Sequence, residues 1–117
     1  MKIKTEYLAG PALDWAVAIA FNPGHEWGEW QPSIDWAQGG PIIQEEQITL
    51  RLSGNDWIAE WWADNSGMAK NPAQRFRPNA YKVGPTPLIA AMRCYVESKF
   101  GDEVDAPDEL VSNTMKV

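Results

Sequence analysis

The segment Gly84–Gly101, which reads GPTPLIAAMRCYVESKFG, decides how this chain folds. Thr86 is a favourable N-cap residue and Pro87 suits the first position of a helix, so this pattern predicts a helix that begins at Pro87. Gly101 is typical of the residue that follows the C-terminal end of a helix. The predicted helix therefore extends from Pro87 to about Phe100.

This predicted helix has a broad apolar face and, beside it, a stripe of small residues. The apolar face consists of Leu88, Ile89, Met92, Tyr95, Val96 and Phe100, and the stripe consists of Ala90, Ala91, Cys94 and Ser98. A second helix is predicted from Gly10-Pro11 to Phe21, with a matching stripe of Ala12, Ala16 and Ala20. We expect the two helices to pack closely together or on a sheet, with Cys94 as an unreactive core thiol.

The segment between these helices has the pattern of a β-hairpin. Gln47–Leu52 alternates apolar and polar residues, Trp57–Trp62 does so less regularly, and Ser53-Gly54-Asn55-Asp56 is a turn sequence. In the predicted register Leu52 pairs with Trp57, Leu50 with Ala59, and Thr49 with Glu60; Arg51 lies near Glu60, and the Leu52 face belongs to the core. A third strand at Tyr81–Val83 is possible. We therefore predict an α+β fold with two main helices on a small antiparallel sheet.

Tryptophan is unusually frequent, with seven residues in the chain. Trp15, Trp57 and Trp61 fall on the apolar faces of predicted elements, where we expect them in the core. We expect Asn22–Pro41, which is rich in Trp, Gly and Pro, to form a long irregular loop with a functional role. Three tryptophans have no predicted place in the core and are candidates for contact with a partner protein: Trp27, Trp30 and Trp62.

Length and composition limit the class of protein. A chain of 117 residues forms one domain, 1–117, and we expect a loose tail from about residue 112. One Cys and one His provide neither a disulfide nor a structural zinc site, so we expect no metal and no cofactor. No signal peptide or membrane span is recognisable, which predicts a soluble cytosolic protein without a membrane partner.

The charge is unevenly distributed along the chain. The formal net charge of −6 disfavours general binding to nucleic acid. Between positions 70 and 99, however, six Lys and Arg residues face only Glu97, which gives +5 locally. This segment is either a solvated basic stretch that balances the acidic residues after it or an anion-binding patch.

Three strings resemble the phage NinX-type family, small proteins of tailed phages and prophages whose function is unknown. They are Ala12–Ala18 (ALDWAVA), Asp35–Ile43 (DWAQGGPII) and Gly84–Val96 (GPTPLIAAMRCYV). The resemblance implies a phage-encoded accessory protein that acts in the cytoplasm of the infected bacterium. It implies no reaction and no catalytic residues. The segment Asn65–Ala80 departs from the family pattern, so the resemblance supports no role for Arg75 or Arg77.

Residue patterns typical of catalysis are absent from the sequence. His25 has no serine elbow or cysteine motif beside it, and a metal cluster of His25 with nearby carboxylates matches no standard ligand spacing. The neighbouring Glu45 and Glu46 favour a solvated pair over an acid/base dyad. There is also no phosphate-binding loop or dinucleotide fingerprint. We therefore expect a protein that is not an enzyme.

The sequence does contain the parts of a site for a phosphorylated heterocycle. A helix that begins at Thr86 favours an anion, Trp36 offers a stacking face, and glycine allows close approach to a ligand. The predicted ligand-binding residues are Trp36, Gln38, Gly39, Gly40, Lys82, Gly84, Thr86 and Arg93.

Two functions are compatible with these observations. The first is capture of a small anionic, nucleotide-like ligand, which in a phage could sequester a signal of host defence. The alternative is a protein-binding module that targets a host protein through exposed Trp residues. We also expect a homodimer, because a domain of this size does not readily bury seven indoles.

Overall fold

The structure, a computed structural model, describes residues 1–21, 30–62 and 79–110. The strands are β1 (Lys2–Lys4), β2 (Thr49–Ser53), β3 (Asp56–Trp61), β4 (Ala80–Gly84) and β5 (Glu103–Asp105), and the helices are a 3-10 turn (Thr5–Tyr7), α1 (Gly10–Phe21), α2 (Trp36–Glu46) and α3 (Pro87–Phe100). One antiparallel sheet has the order β2-β3-β4, and β1 pairs with β5 in a second. The predicted α+β class is confirmed.

Helix α3 is the central element of the fold. It begins as predicted, because the Thr86 hydroxyl accepts a hydrogen bond from the Ile89 N–H at 3.1 Å. It ends where the Gly101 N–H donates to the Glu97 carbonyl. Between these ends α3 packs on β3 and β4, and it also contacts α1 and α2. The other elements are therefore arranged around this one helix.

The hairpin has the predicted register. Leu52 pairs with Trp57, and Thr49 pairs with Glu60. Arg51 Nε lies 3.0 Å from Glu60 Oε1, which confirms the predicted proximity. Strand β4 extends the hairpin and confirms the possible third strand. The expectation that Leu52 lies in the core is wrong, because this side chain near the turn is 61% exposed.

The core confirms most of the assignments made from the apolar faces. Trp15, Trp57 and Trp61 are partly buried and pack against the buried cluster. Cys94 is fully buried, and its Sγ lies 3.6 Å from the Ala80 carbonyl oxygen. Burial raises the pKa of the Cys94 thiol to about 12, so the reactive thiolate is scarce at neutral pH. Cys94 is therefore a core thiol.

Helix α2 corrects the prediction for Asn22–Pro41, because the last residues of that range are helical. Asp35 caps the helix, with its Oδ1 accepting from the Ala37 N–H at 2.9 Å. Inside the helix, a Cβ on Gly39 would lie 2.3 Å from the Pro32 carbonyl oxygen and 2.8 Å from Leu88 Cδ2. Gly39 thus allows α2 to pack tightly against its neighbours, and this tertiary packing overrides the turn pattern of Gly, Gly and Pro.

The second sheet was not predicted. Ile3 opposes Val104, and both are buried. Lys2 opposes Asp105 and Lys4 opposes Glu103, so unlike charges face each other across the pair. The ribbon therefore joins the first and last described strands of the chain.

Candidate functional site

A groove of about 220 Å³ lies between the turn before α2 and the start of α3. Its lining residues are Ser33, Ile34, Trp36, Thr86, Pro87, Leu88 and Ile89. Trp36 is 55% exposed and Ile34 is 65% exposed. The structure thus brings together two predicted ligand-binding residues, Trp36 and Thr86, in a groove that is mostly apolar. Ile34, a prominent member of this groove, was missed from the sequence.

The turn that carries Ile34 and Trp36 is fixed by a buried carboxylate. Asp14 of α1 is only 3% exposed, and its Oδ1 accepts the buried Ser33 N–H at 2.9 Å. Burial raises the pKa of Asp14, and hydrogen bonding from Ser33 opposes that rise. Asp14 therefore anchors the groove wall to the core from inside.

The other predicted residues of α2 serve the fold. The side-chain carbonyl of Gln38 accepts a hydrogen bond from the Gln31 N–H, which closes the turn before the helix. Gly39 makes its close contact with Pro32 and Leu88, which gives it a packing role, and the expectation that it allows a ligand to approach stays a prediction. At Gly40 an added Cβ would meet nothing closer than the Trp36 ring, at 3.9 Å.

The start of α3 offers little to an anion. Pro87 has no N–H, and the Ile89 N–H is bound by the Thr86 hydroxyl. Among the first three helical residues, only Leu88 therefore has an N–H that can point to a ligand. The groove can donate one hydrogen bond at this place, from the Leu88 N–H, but it is not a strong phosphate site.

The remaining predicted ligand-binding residues lie elsewhere. Lys82, Gly84 and Arg93 line a different cavity of about 390 Å³, together with Glu6, Asp56, Tyr81, Val83 and Pro85. The predicted site is thus divided into an apolar groove and a charged cavity. Gly84 allows α3 to lie close to β4, since a Cβ there would be 2.6 Å from the Ala90 nitrogen.

Lys82 is neutralised by an ion pair within the fold. Its Nζ lies 2.6 Å from Glu97 Oε2, and the two side chains are only 16% and 14% exposed. The other oxygen of Glu97 accepts the Tyr81 N–H at 2.8 Å. The charge of Lys82 is therefore already compensated within the fold, and the expectation that it offers a cation to a ligand stays a prediction.

Arg93 connects two separate parts of the backbone. Its Nε donates to the Leu8 carbonyl at 2.7 Å, and its Nη1 donates to the Val83 carbonyl at 2.9 Å. Burial lowers the pKa of Arg93, and the negative charge of Glu6 opposes that change. Arg93 thus remains a cation at the cavity wall while it holds β4 to the start of α1.

The tryptophans predicted to grip a partner have different surroundings. Trp30 is half-buried against the core, with its ring centroid 5.5 Å from that of Phe21, so the expectation that it has no place in the core is wrong. Trp62, directly after β3, is half-buried. Trp27 lies outside the described residues, as do His25 and the basic residues at 70, 75 and 77.

Two kinds of site are absent from the residues that the structure describes. Among them, no group of three or more His, Cys, Asp or Glu side chains is arranged to hold a metal ion. No helix in the same ranges has the length and apolar character needed to cross a membrane.

Comparison with known proteins identifies a family. The family model described as "Bacteriophage P22, NinX" matches residues 4–99. No curated protein matches the chain at a significant level. The matched range contains every lining residue of the groove and of the charged cavity.

Proposed function

The chain belongs to the bacteriophage P22 NinX family, and on that premise we propose that it is a non-enzymatic accessory protein that binds another protein in the cytoplasm of the infected bacterium. The groove at Trp36 is the proposed site. An apolar side chain of the partner would lie between Trp36 and the start of α3. Trp36 and Ile34 would then contact the partner from the rim.

The observation that carries this proposal is the joint exposure of Trp36 and Ile34 beside an apolar groove. Trp36 and Ile34 are 55% and 65% exposed, and Pro87, Leu88 and Ile89 line the groove between them. Single exposed apolar residues are common on protein surfaces, but a pair of large residues around a concave apolar wall favours an interface. Trp is also the residue type that most often anchors one.

The groove is well prepared for binding because the fold holds its wall in place. The Asp14 carboxylate fixes Ser33, the Asp35 carboxylate caps α2, and Gly39 lets α2 pack directly against Pro32 and Leu88. Little conformational freedom in the wall would be lost on binding, which lowers the cost of association.

A small planar ligand is the second candidate. Trp36 could stack on a heterocycle, and Thr86 and Leu88 at the start of α3 lie in the same groove. The sequence predicts a nucleotide-like ligand and the sequestering of a host defence signal, and the position of Trp36 beside Thr86 favours a planar ligand here. With Lys82 paired to Glu97 and Arg93 at the other cavity, however, the groove suits a ligand with little negative charge.

Photocrosslinking in infected cells tests the proposal directly. A photoreactive amino acid in place of Ile34 should form a covalent adduct with one protein partner, and the same substitution at Tyr7 should not. Tyr7 is the matched control, because it is 62% exposed and does not line the groove. Adding Trp36→Ala should reduce the adduct by about tenfold, as expected for an interface anchor.

The outcomes separate the two candidates. If native mass spectrometry of the purified protein instead shows a small-molecule adduct that Trp36→Ala removes, the second candidate replaces the first. If neither a crosslinked chain nor an adduct depends on Trp36, both are wrong. The homodimer expected from the sequence stays a prediction, and an Ile34 crosslink to a second copy of this chain would support it.

A further inference from the structure

We propose that the cavity at Glu6, Asp56 and Arg93 binds a free basic amino acid, such as arginine or lysine, through its carboxylate and its two cationic groups. The cavity measures about 390 Å³, within the range usual for small-molecule sites. This inference does not depend on the proposed function, since the groove and the cavity have no lining residue in common.

The charges at the cavity wall do not cancel one another by contact. Lys82 is compensated by Glu97, which leaves one cation, Arg93, and two carboxylates, Glu6 and Asp56. Among the described residues, no carboxylate lies within 4.0 Å of the Arg93 guanidinium, and no cation lies within that distance of Glu6 or Asp56. Charges of both signs therefore face one open space.

Arg93 is prepared to bind a carboxylate. A guanidinium has five N–H groups, and two of them donate to the Leu8 and Val83 carbonyls. These bonds fix the plane of the side chain and leave three N–H groups available. A guanidinium held in this way recognises the paired oxygens of a carboxylate better than a mobile lysine does.

Glu6 provides a negative charge on the wall of the same cavity. Its negative charge opposes the lowering of the Arg93 pKa by burial, although the two side chains do not form an ion pair. An α-amino acid has an ammonium group next to its carboxylate. With the carboxylate at Arg93, the ammonium group would lie on the side of Glu6.

Asp56 and a neighbouring cavity favour a second cation on the ligand. A cavity of about 340 Å³ shares Glu6 and Lys82 with the first, and Asp102 and Glu103 also line it, with Lys4 as the added cation. On the wall of the main cavity, the charges without an ion-pair partner are one positive charge, on Arg93, and two negative charges, on Glu6 and Asp56. A basic amino acid at neutral pH has the complementary set, one carboxylate and two cations.

Isothermal titration calorimetry of the full chain tests this assignment. We expect arginine or lysine to bind with a Kd below about 1 mM. Citrulline lacks the side-chain cation and agmatine lacks the carboxylate, so each should bind at least about tenfold more weakly than arginine. Glutamate should give no binding signal.

Variants of exposed residues complete the test without disturbing the core. Glu6→Gln and Asp56→Asn should each weaken arginine binding by about tenfold. Glu45→Gln makes the same change of charge on α2, outside the cavity, and should leave arginine binding unchanged. Trp36→Ala in the groove should also leave arginine binding unchanged.

Three results would overturn the proposal. The first is that neither arginine nor lysine binds at about 10 mM, which is far above the expected Kd. The second is equal affinity for agmatine and arginine. The third is that both Glu6→Gln and Asp56→Asn bind arginine with full affinity. The test also stands apart from the proposed protein partner. Loss of binding in Trp36→Ala alone would assign the amino acid to the groove and would contradict the proposal.

Discussion

The groove and the charged cavity are lined by consecutive stretches of the same segment, yet they differ completely in chemistry. Gly84 and Pro85 belong to the cavity, and Thr86 to Ile89 belong to the groove. The groove is apolar and its wall is held by close packing of backbone. The cavity has four charged side chains among its lining residues, and its wall is held by an ion pair and by an arginine bound to two carbonyls.

This difference shows how neighbouring residues in sequence can contribute to independent sites. The residues at the start of α3 look like one anion-binding cluster in the sequence, but the chain turns from β4 into α3 within that cluster. Side chains before and after the turn therefore face different spaces. Each region can be altered by a substitution that leaves the other intact.

The largest effect is expected at Gly39, which supports the groove. A methyl group there would collide with the Pro32 carbonyl and with Leu88, so Gly39→Ala should lower the free energy of unfolding by about 3 kcal/mol. Gly40→Ala is the matched control, since the adjacent position is open. It should be neutral or stabilise the helix by up to about 1 kcal/mol.

Urea denaturation of both variants measures these changes. Arginine binding by Gly39→Ala below its unfolding transition should match the wild type if the cavity is independent of the groove. Equal stability of the two alanine variants would show that the close packing at Gly39 does not support the fold.

A smaller effect is expected at Lys82, which supports the cavity. Lys82→Ala leaves the mostly buried Glu97 without its partner, and we expect a loss of about 2 kcal/mol in the free energy of unfolding. Arg51→Ala removes an ion pair whose arginine is 54% exposed, and it should cost less than about 1 kcal/mol. Chemical denaturation compares the two. A larger loss in Arg51→Ala would contradict the structural role of Lys82.

The smallest effect concerns Asp14, the anchor of the groove wall. Burial raises its pKa above that of the unfolded chain, which is about 4. At pH values between the unfolded-state pKa and the higher folded-state pKa, the folded state binds more protons than the unfolded state. Asp14 therefore lowers the free energy of unfolding as the pH rises through this window. Asp14→Asn keeps an oxygen for the Ser33 N–H and avoids the buried charge. At pH 7 it should be more stable than the wild type by about 1 kcal/mol.

Unfolding curves of wild type and Asp14→Asn between pH 3 and pH 7 give this difference. The advantage of the variant should grow with pH across the window. A constant difference, or one that shrinks with rising pH, would show that Asp14 does not titrate as its burial requires.

Much of the fold could be predicted because its signals are local. The N-cap at Thr86 defines α3, and the alternation on either side of the Gly54 turn defines the hairpin and its register. Helix α2 could not be predicted in the same way, because its Gly and Pro residues indicate a turn. What makes them helical is the contact of Gly39 with Pro32 and Leu88, which no local pattern contains.

The site was predicted less well than the fold. Trp36 and Thr86 do meet, but the sequence does not show that Lys82 faces Glu97 across β4 and α3. One signal was available for the groove. Asp14 stands among apolar residues on the apolar part of a predicted helix, and a carboxylate that is buried there requires a hydrogen-bond donor from another segment.

The pairing of β1 with β5 has a consequence for how the chain is made. Thr5, directly after β1, donates its hydroxyl hydrogen to the Gly101 carbonyl, 96 residues further along the chain. At about 5 to 20 residues per second, ribosomal synthesis separates these partners by roughly 5 to 20 s. Ile3 is therefore synthesised well before its partner Val104, with the hairpin and α3 made between them. The pairing of β1 with β5 can therefore form only after the hairpin and α3 have been synthesised.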